Sequence, residues 1–328
     1  MSARVAQITR WLRHDLGFPD FGLTPASSDA SFRRYFRIAF DGETRIVMDA
    51  PPGKEDLGPF IKVARLMEDI GLHVPRILAD NHAEGFLLLS DLGTEQYLPQ
   101  LNEQSVGRLY LDALDALAIL QTRGPRGDEL PPYDRALLLR EMELFREWFL
   151  GRHLRLPLTQ DDHQLLNRSF DVLSESALEQ PRVTVHRDYH SRNLMVSDPN
   201  PGILDFQDAV IGPVTYDLVS LLKDCYIDWP RNWVEQWALS FHDILLEAGI
   251  TDMRDQGEFL RWFDLMGVQR HLKAIGIFAR LNIRDGKPGY LKDIPRTLGY
   301  VREVSARYAD LRPLSEFIEA RVVPLVPN

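Results

Sequence analysis

The chain has 328 residues, a formal net charge of −10 and one cysteine, Cys225. The acidic balance argues against a general nucleic-acid surface. A single thiol excludes an intramolecular disulfide and suits a reducing, cytoplasmic setting with Cys225 as a buried bystander. No apolar run approaches the roughly 20 residues that a membrane-spanning helix requires, so no membrane partner is expected, and nothing in the composition calls for an obligate protein partner.

Near the N-terminus Val5, Ile8 and Leu12 share one helical face among Arg4, Arg10 and Arg13. The segment reads as an amphipathic helix packed on a small lobe, with a transit peptide as the alternative. From Phe21 to Ser90 the pattern is mainly strand. Residues 22–26 lead into a polar turn at 27–31, and 32–40 and 44–50 form a hairpin around Asp41-Gly42, a favoured two-residue turn. Pro51, Pro52, Gly53, Gly58 and Pro59 break the chain before a helix over 60–70 that Gly71 ends. Residues 74–79 and 86–89 read as two more strands around a turn at 82–85.

After Asp91 the period becomes helical. Val106, Leu109, Ala113, Leu117 and Leu120 form one stripe, Leu144, Phe145, Trp148 and Phe149 a second, and Trp233, Trp237 and Phe241 a third before Gly249; residues 259–281 form a long apolar-rich helix. Strands followed by helices predict an α+β chain, with a small antiparallel-sheet lobe over 1–90 and a larger, mainly helical lobe over 91–328.

The chemistry concentrates in His186-Arg187-Asp188-Tyr189-His190-Ser191-Arg192-Asn193, followed by Leu204-Asp205-Phe206. This is the kinase catalytic-loop pattern H-R-D-x-x-x-x-N with a strand-led second acid. In that pattern the first Asp takes the acceptor hydroxyl's proton, while the Asn and the later Asp hold Mg²⁺ on the nucleotide phosphates. Asp188 is therefore the expected base, and Asn193 and Asp205 the expected metal ligands. Amide and carboxylate oxygens suit hard Mg²⁺. His186 and His190 read as residues that orient the loop. Only residues 206–216 separate Asp205 from Asp217, too few for a phosphorylated activation loop with a peptide platform, which favours a small-molecule acceptor.

This set resembles the aminoglycoside phosphotransferase and choline kinase-like branch of the kinase fold, over nearly the whole chain. The resemblance implies a bilobal protein-kinase-like fold and ATP with Mg²⁺ as cofactors. It places residues 27–37 over the phosphates, with Ser28 and Ser31 as nucleotide-binding residues. Residues 86–93 become the hinge, with Leu89 and Asp91 at the nucleotide. Segments 28–37, 47–52 and 269–278 further resemble the anomeric N-acetylmuramate/N-acetylglucosamine kinases of bacterial cell-wall recycling, which implies a sugar 1-phosphate as product. An aminoglycoside, choline or another small alcohol remains open as acceptor, as does a pseudokinase that binds nucleotide without turnover.

One departure is chemical. Kinases carry a lysine on the third strand to hold the phosphates, whereas this strand reads Ile46-Val47-Met48-Asp49. Arg33, Arg34 or Lys54 is the expected substitute, since arginine forks suit phosphate. A muramate acceptor adds a lactyl carboxylate that wants a cation, and Arg270, Lys273 or Arg280 on the late helix could supply one.

Overall fold

The computed structural model describes residues 3–28 and 32–326. The chain forms two compact units, one of Met1–Gln100 with Asn193–Asp208, the other of Leu101–Arg192 with Ala209–Asn328.

The first unit begins with α1 (Ala3–Arg10), which runs on through a π-helical turn at Trp11–Asp15. Three strands follow, β1 (Gly22–Ser28), β2 (Arg34–Phe40) and β3 (Glu43–Asp49), then α2 (Gly58–Asp69), β4 (Ile77–Asn81), β5 (Phe86–Ser90) and the short α3 (Tyr97–Gln100). The five strands form one antiparallel sheet in the order β1-β2-β3-β5-β4. Its register is set at Asp41-Gly42, where φ values of 48° and 81° make the mirror-image turn that matches strand twist and puts Phe40 opposite Glu43. The fourth strand starts at Ile77 rather than at Val74, because Pro75 has no N–H to give to a ladder.

Strand alternation gives this sheet two different faces. On one, Ile38, Val47 and Leu88 are buried with Ile8, Trp11 and Leu12 of the N-terminal helix. The helix therefore packs on the sheet as its apolar stripe requires, each fully buried Ile or Leu contributing roughly 1.5–3 kcal/mol. On the other face Tyr35, Arg37, Ile46 and Leu89 line a cavity.

The second unit contains α4 (Val106–Arg123), α5 (Arg135–Leu144) with a π-helical continuation at Phe145–His153, and α6 (Gln160–Leu178). Four short strands come next. In this unit β6 (Arg182–Val185) pairs with β9 (Val210–Pro213), while β7 (Leu194–Met195) and β8 (Gly202–Ile203) pair within the first unit. The chain ends in α7 (Tyr216–Leu222), α8 (Arg231–Glu247), α9 (Gln256–Asp285), α10 (Ile294–Arg307) and α11 (Arg312–Phe317). Helix α9 extends beyond its apolar stripe because Asp255 caps it, accepting the N–H groups of Gly257 and Glu258, and Gly286 ends it in the left-handed conformation. Its Leu265, Val268, Leu272 and Ile275 share a core with Met142, Phe145 and Phe149, and with Phe170 and Leu173 of α6.

Where α9 crosses the end of α5, a Cβ added at Gly276 would lie 2.3 Å from the carbonyl carbon of Leu144. One turn back on each helix, Lys273 Nζ reaches Glu141 Oε1 at 3.3 Å. Gly276→Ala should therefore destabilise the protein by about 1–3 kcal/mol through overpacking, although alanine is the better helix former by about 1 kcal/mol. The clash meets main chain, which no rotamer change relieves, so it dominates. Urea unfolding reads this as a lower midpoint; an unchanged or higher midpoint would refute the close crossing.

A single cut after Ser90 differs from this division in two places, at residues 91–100 and at residues 193–208. Segment 193–208 groups with the strand-rich residues, because Ile203 N–H donates to His73 O at 2.8 Å, Val196 N–H donates to Glu95 O at 2.7 Å, and Phe206 packs on Phe60 with ring centroids 4.9 Å apart. Among the described residues no helix is long and apolar enough to cross a membrane.

Candidate active site

The first unit's cavity has a volume of about 410 Å³, with Ile46, Leu89 and Phe206 among its apolar lining and Arg37, Asp91 and Asp205 among its polar groups. Apolar walls with a few fixed polar groups are what a nucleotide base and ribose require. Asp91 does not offer its carboxylate to a ligand. Arg37 grips it through Nε at 2.5 Å and Nη2 at 3.0 Å, Gly93 N–H adds a bond at 3.0 Å, and Arg37 also donates to Gly93 O at 2.8 Å. Burial raises the Asp91 pKa, but the bonds from Arg37 and Gly93 outweigh it and hold the group below the ordinary carboxylate range.

On β3, where the kinase pattern calls for a lysine, the fully buried Met48 shares a strand face with Ile46. The three candidate substitutes are placed differently. Arg34 faces Asp49, donating from Nε to Oδ2 at 3.1 Å, and the fully buried Asp49 also accepts from Arg4 Nε at 3.0 Å. Arg33 lies 3.5 Å from Glu55, and the Lys54 ammonium sits 4.9 Å from the Phe32 ring centroid. None of the three lines the cavity. Ser28 ends β1, and Ser31 lies outside the described residues.

Asp205 has φ 63°, a left-handed conformation that non-glycine residues adopt only when their surroundings impose it. Here Leu204 N–H donates to Asn193 O at 2.9 Å, which sets Asn193 beside the Asp205 turn, and Gln207 Nε2 donates to Asp205 Oδ1 at 2.7 Å. Asp205 brings a carboxylate and Asn193 an amide, oxygen ligands of the kind that a hard divalent cation takes.

The second unit holds Asp188 in a loop pinned at several points. The fully buried Asp217, at the start of α7, accepts the N–H groups of His186 at 2.6 Å and Arg187 at 3.0 Å. Asp224 accepts Ser191 N–H at 3.0 Å and Ser191 Oγ at 2.5 Å, and Tyr189 donates its hydroxyl to Ala113 O at 2.8 Å. His186 Nδ1 accepts Asp188 N–H at 3.2 Å and His190 N–H donates to Asp188 O at 3.0 Å, orienting bonds of the kind expected for both histidines. Arg187 carries φ 78°, a second left-handed non-glycine residue.

Charges around Asp188 are organised by Glu141. This buried carboxylate bonds the Arg187 guanidinium and the Tyr133 hydroxyl and pairs with Lys273, which also donates to Tyr216 Oη at 2.9 Å. Burial raises the Asp188 pKa, but Lys273, His190, Arg270 and Arg187 outweigh it and hold Asp188 ionised below the ordinary carboxylate range. The Arg187 guanidinium is thus tied to Glu141, away from the hydrogen bonds that pin the loop backbone. Sequence reading missed Glu141, Tyr133, Tyr216, Asp224 and Arg37. Arg37 could have been found from alternation with Tyr35; Glu141, on a helix read only for its apolar stripe, gave no signal.

A strand-lined cavity carrying a strained acid, together with a pinned H-R-D loop, defines a phosphotransferase. The profile of the family described as "Phosphotransferase enzyme family" matches residues 22–257, and the chain belongs to this family. A Pseudomonas putida protein named N-acetylmuramate/N-acetylglucosamine kinase is 49% identical over 96% of this chain and 96% of its own length. A Pseudomonas aeruginosa protein of the same name is 51% identical over 92% of this chain and 88% of its own. The GDP complex of aminoglycoside 2'-phosphotransferase-IIIa matches with a TM-score of 0.62 and 15% identity over 93% of this chain and 99% of that one, a likeness of fold. The chain is thus a nucleotide-using kinase with a small-molecule acceptor.

Proposed function

We propose that the protein transfers the γ-phosphoryl group of ATP to the anomeric hydroxyl of N-acetylmuramate or N-acetylglucosamine, forming the sugar 1-phosphate for peptidoglycan recycling in the cytoplasm. The observation that carries this reading is the near-full-length identity of about half to kinases named for those two sugars. In this mechanism Asp188 accepts the hydrogen bond of the acceptor hydroxyl and takes its proton as the bond to phosphorus forms and the γ-phosphorus parts from its bridging oxygen, releasing ADP. An anomeric hydroxyl is more acidic than an ordinary sugar alcohol, so a carboxylate of depressed basicity suffices and orientation is the larger task. Asp205 and Asn193 would hold Mg²⁺, which when bound offsets phosphate charge. Leu89, Asp91 and the rest of the cavity would receive the nucleotide, with Arg33 and Lys54 as the candidate cations for its phosphates.

The test exploits the free reducing end. Incubated with ATP and Mg²⁺, the protein should convert both sugars to products whose phosphorus couples to the anomeric proton in NMR, and should leave their 1-O-methyl glycosides unchanged. Phosphorylation of the glycosides, or reaction only with aminoglycosides or choline, would overturn the assignment.

A further inference from the structure

Arg270 is a buried cation that no carboxylate bonds among the described residues. It is 5% exposed, and its one hydrogen bond runs from Nη1 to Cys225 Sγ at 3.9 Å, a weak acceptor at long range. Its Nε is buried without a partner, and among the described residues its guanidinium makes no ion pair. A desolvated guanidinium left this way is costly unless something completes it. Asp224 and Asp188 favour its charge through space, but neither bonds it. Asp224 is taken by Ser191 and by Tyr226 N–H at 3.0 Å, and Glu141 by Arg187 and Lys273.

The other cations of the late helix are not equivalent. Lys273, one turn along, is held by Glu141 and Tyr216. Arg280 is only half-buried, and besides burial the charges that act on it are Arg284, Asp285 and Glu147, none of them at the catalytic loop. Arg270 instead acts electrostatically on Asp188 itself. His190, in the same loop, adds a buried Nδ1 without a hydrogen-bond partner. A planar guanidinium matches a carboxylate with two parallel bonds. Of the two sugars only N-acetylmuramate carries one.

We propose that Arg270 is the carboxylate anchor of the acceptor site, binding the lactyl group of N-acetylmuramate and setting its preference over N-acetylglucosamine; this rests on the sugar reading above. The test compares kcat/KM for both sugars and for the neutral methyl ester of N-acetylmuramate, in the wild type, Arg270→Met and Arg270→Lys. A charge-assisted hydrogen bond is worth enough that Arg270→Met should raise KM for N-acetylmuramate about ten-fold or more. Any loss through Asp188 falls on both sugars alike, so the loss on N-acetylmuramate should exceed that on N-acetylglucosamine by this factor, and Arg270→Lys should restore part of it. The ester should lose the same factor in the wild type and nothing further in Arg270→Met, a readout that needs no altered protein to fold. An equal loss on both sugars, or a wild type indifferent to esterification, would overturn the anchor and leave the sugar assignment standing. A wild type inert toward both sugars would overturn the two together.

Discussion

Asparagine in place of Asp188 is expected to lower sugar-dependent turnover by about 10²–10⁴-fold, the range removed with a general base, while nucleotide affinity stays within a few-fold. In the role proposed for it Asp188 acts on the acceptor hydroxyl and not on the nucleotide, so its loss falls on the acceptor. The Asn side chain keeps the shape and can still accept a hydrogen bond, but it cannot take a proton. The anomeric hydroxyl's acidity pulls the effect toward the lower part of the range. Steady-state ADP release with calorimetric ADP binding checks both halves; near-normal turnover would remove Asp188 from the base role. The pH profile belongs to the same prediction. Because the folded pKa of Asp188 is depressed, the base is lost only as pH falls through a value below the ordinary carboxylate range of about 4. Between pH 5 and 8 Asp188 should impose no acid limb on kcat/KM.

Asp205→Ala should behave differently, losing turnover by about 10³-fold or more and also weakening nucleotide binding by about ten-fold in the presence of Mg²⁺, since removing a clamp on the phosphates reaches both ground and transition states. Without Mg²⁺ the affinities of the variant and the wild type should converge. Titrations of ADP with and without Mg²⁺ measure this directly, and a variant with undiminished Mg²⁺-dependent affinity would free Asp205 from the metal role. The two variants thus separate on binding where turnover alone would group them.

Much of this was legible in the chain because local rules bind tightly where they act. Asp41-Gly42 declared its turn, the alternation around it declared both strands, and the apolar stripe over 259–281 declared the long helix, whose caps at Asp255 and Gly286 only the structure shows. The H-R-D-x-x-x-x-N spacing reads directly because a single loop carries it. What stayed hidden depends on long-range pairing. Arg37 meets Asp91 across 54 positions, and Arg34, an arginine suited to phosphate by type and place, faces Asp49 because Asp49 stands opposite it in the β2–β3 register. Glu141 carries no motif, and only the crossing at Gly276 explains why it meets Lys273.

The pinned catalytic loop has a consequence for breadth of substrates. Backbone groups of His186, Arg187 and Ser191 are tied to two carboxylates, and Tyr189 to the carbonyl of Ala113. Ordering a flexible loop would draw roughly 1–2 kcal/mol per residue from the acceptor's binding energy. A loop already fixed makes no such demand, but it also cannot remould itself around a molecule of another outline. Tolerance of varied acceptors has to reside in the side chains that face them, so exchanging one sugar for another is a problem of altering those contacts while the loop stays as it is.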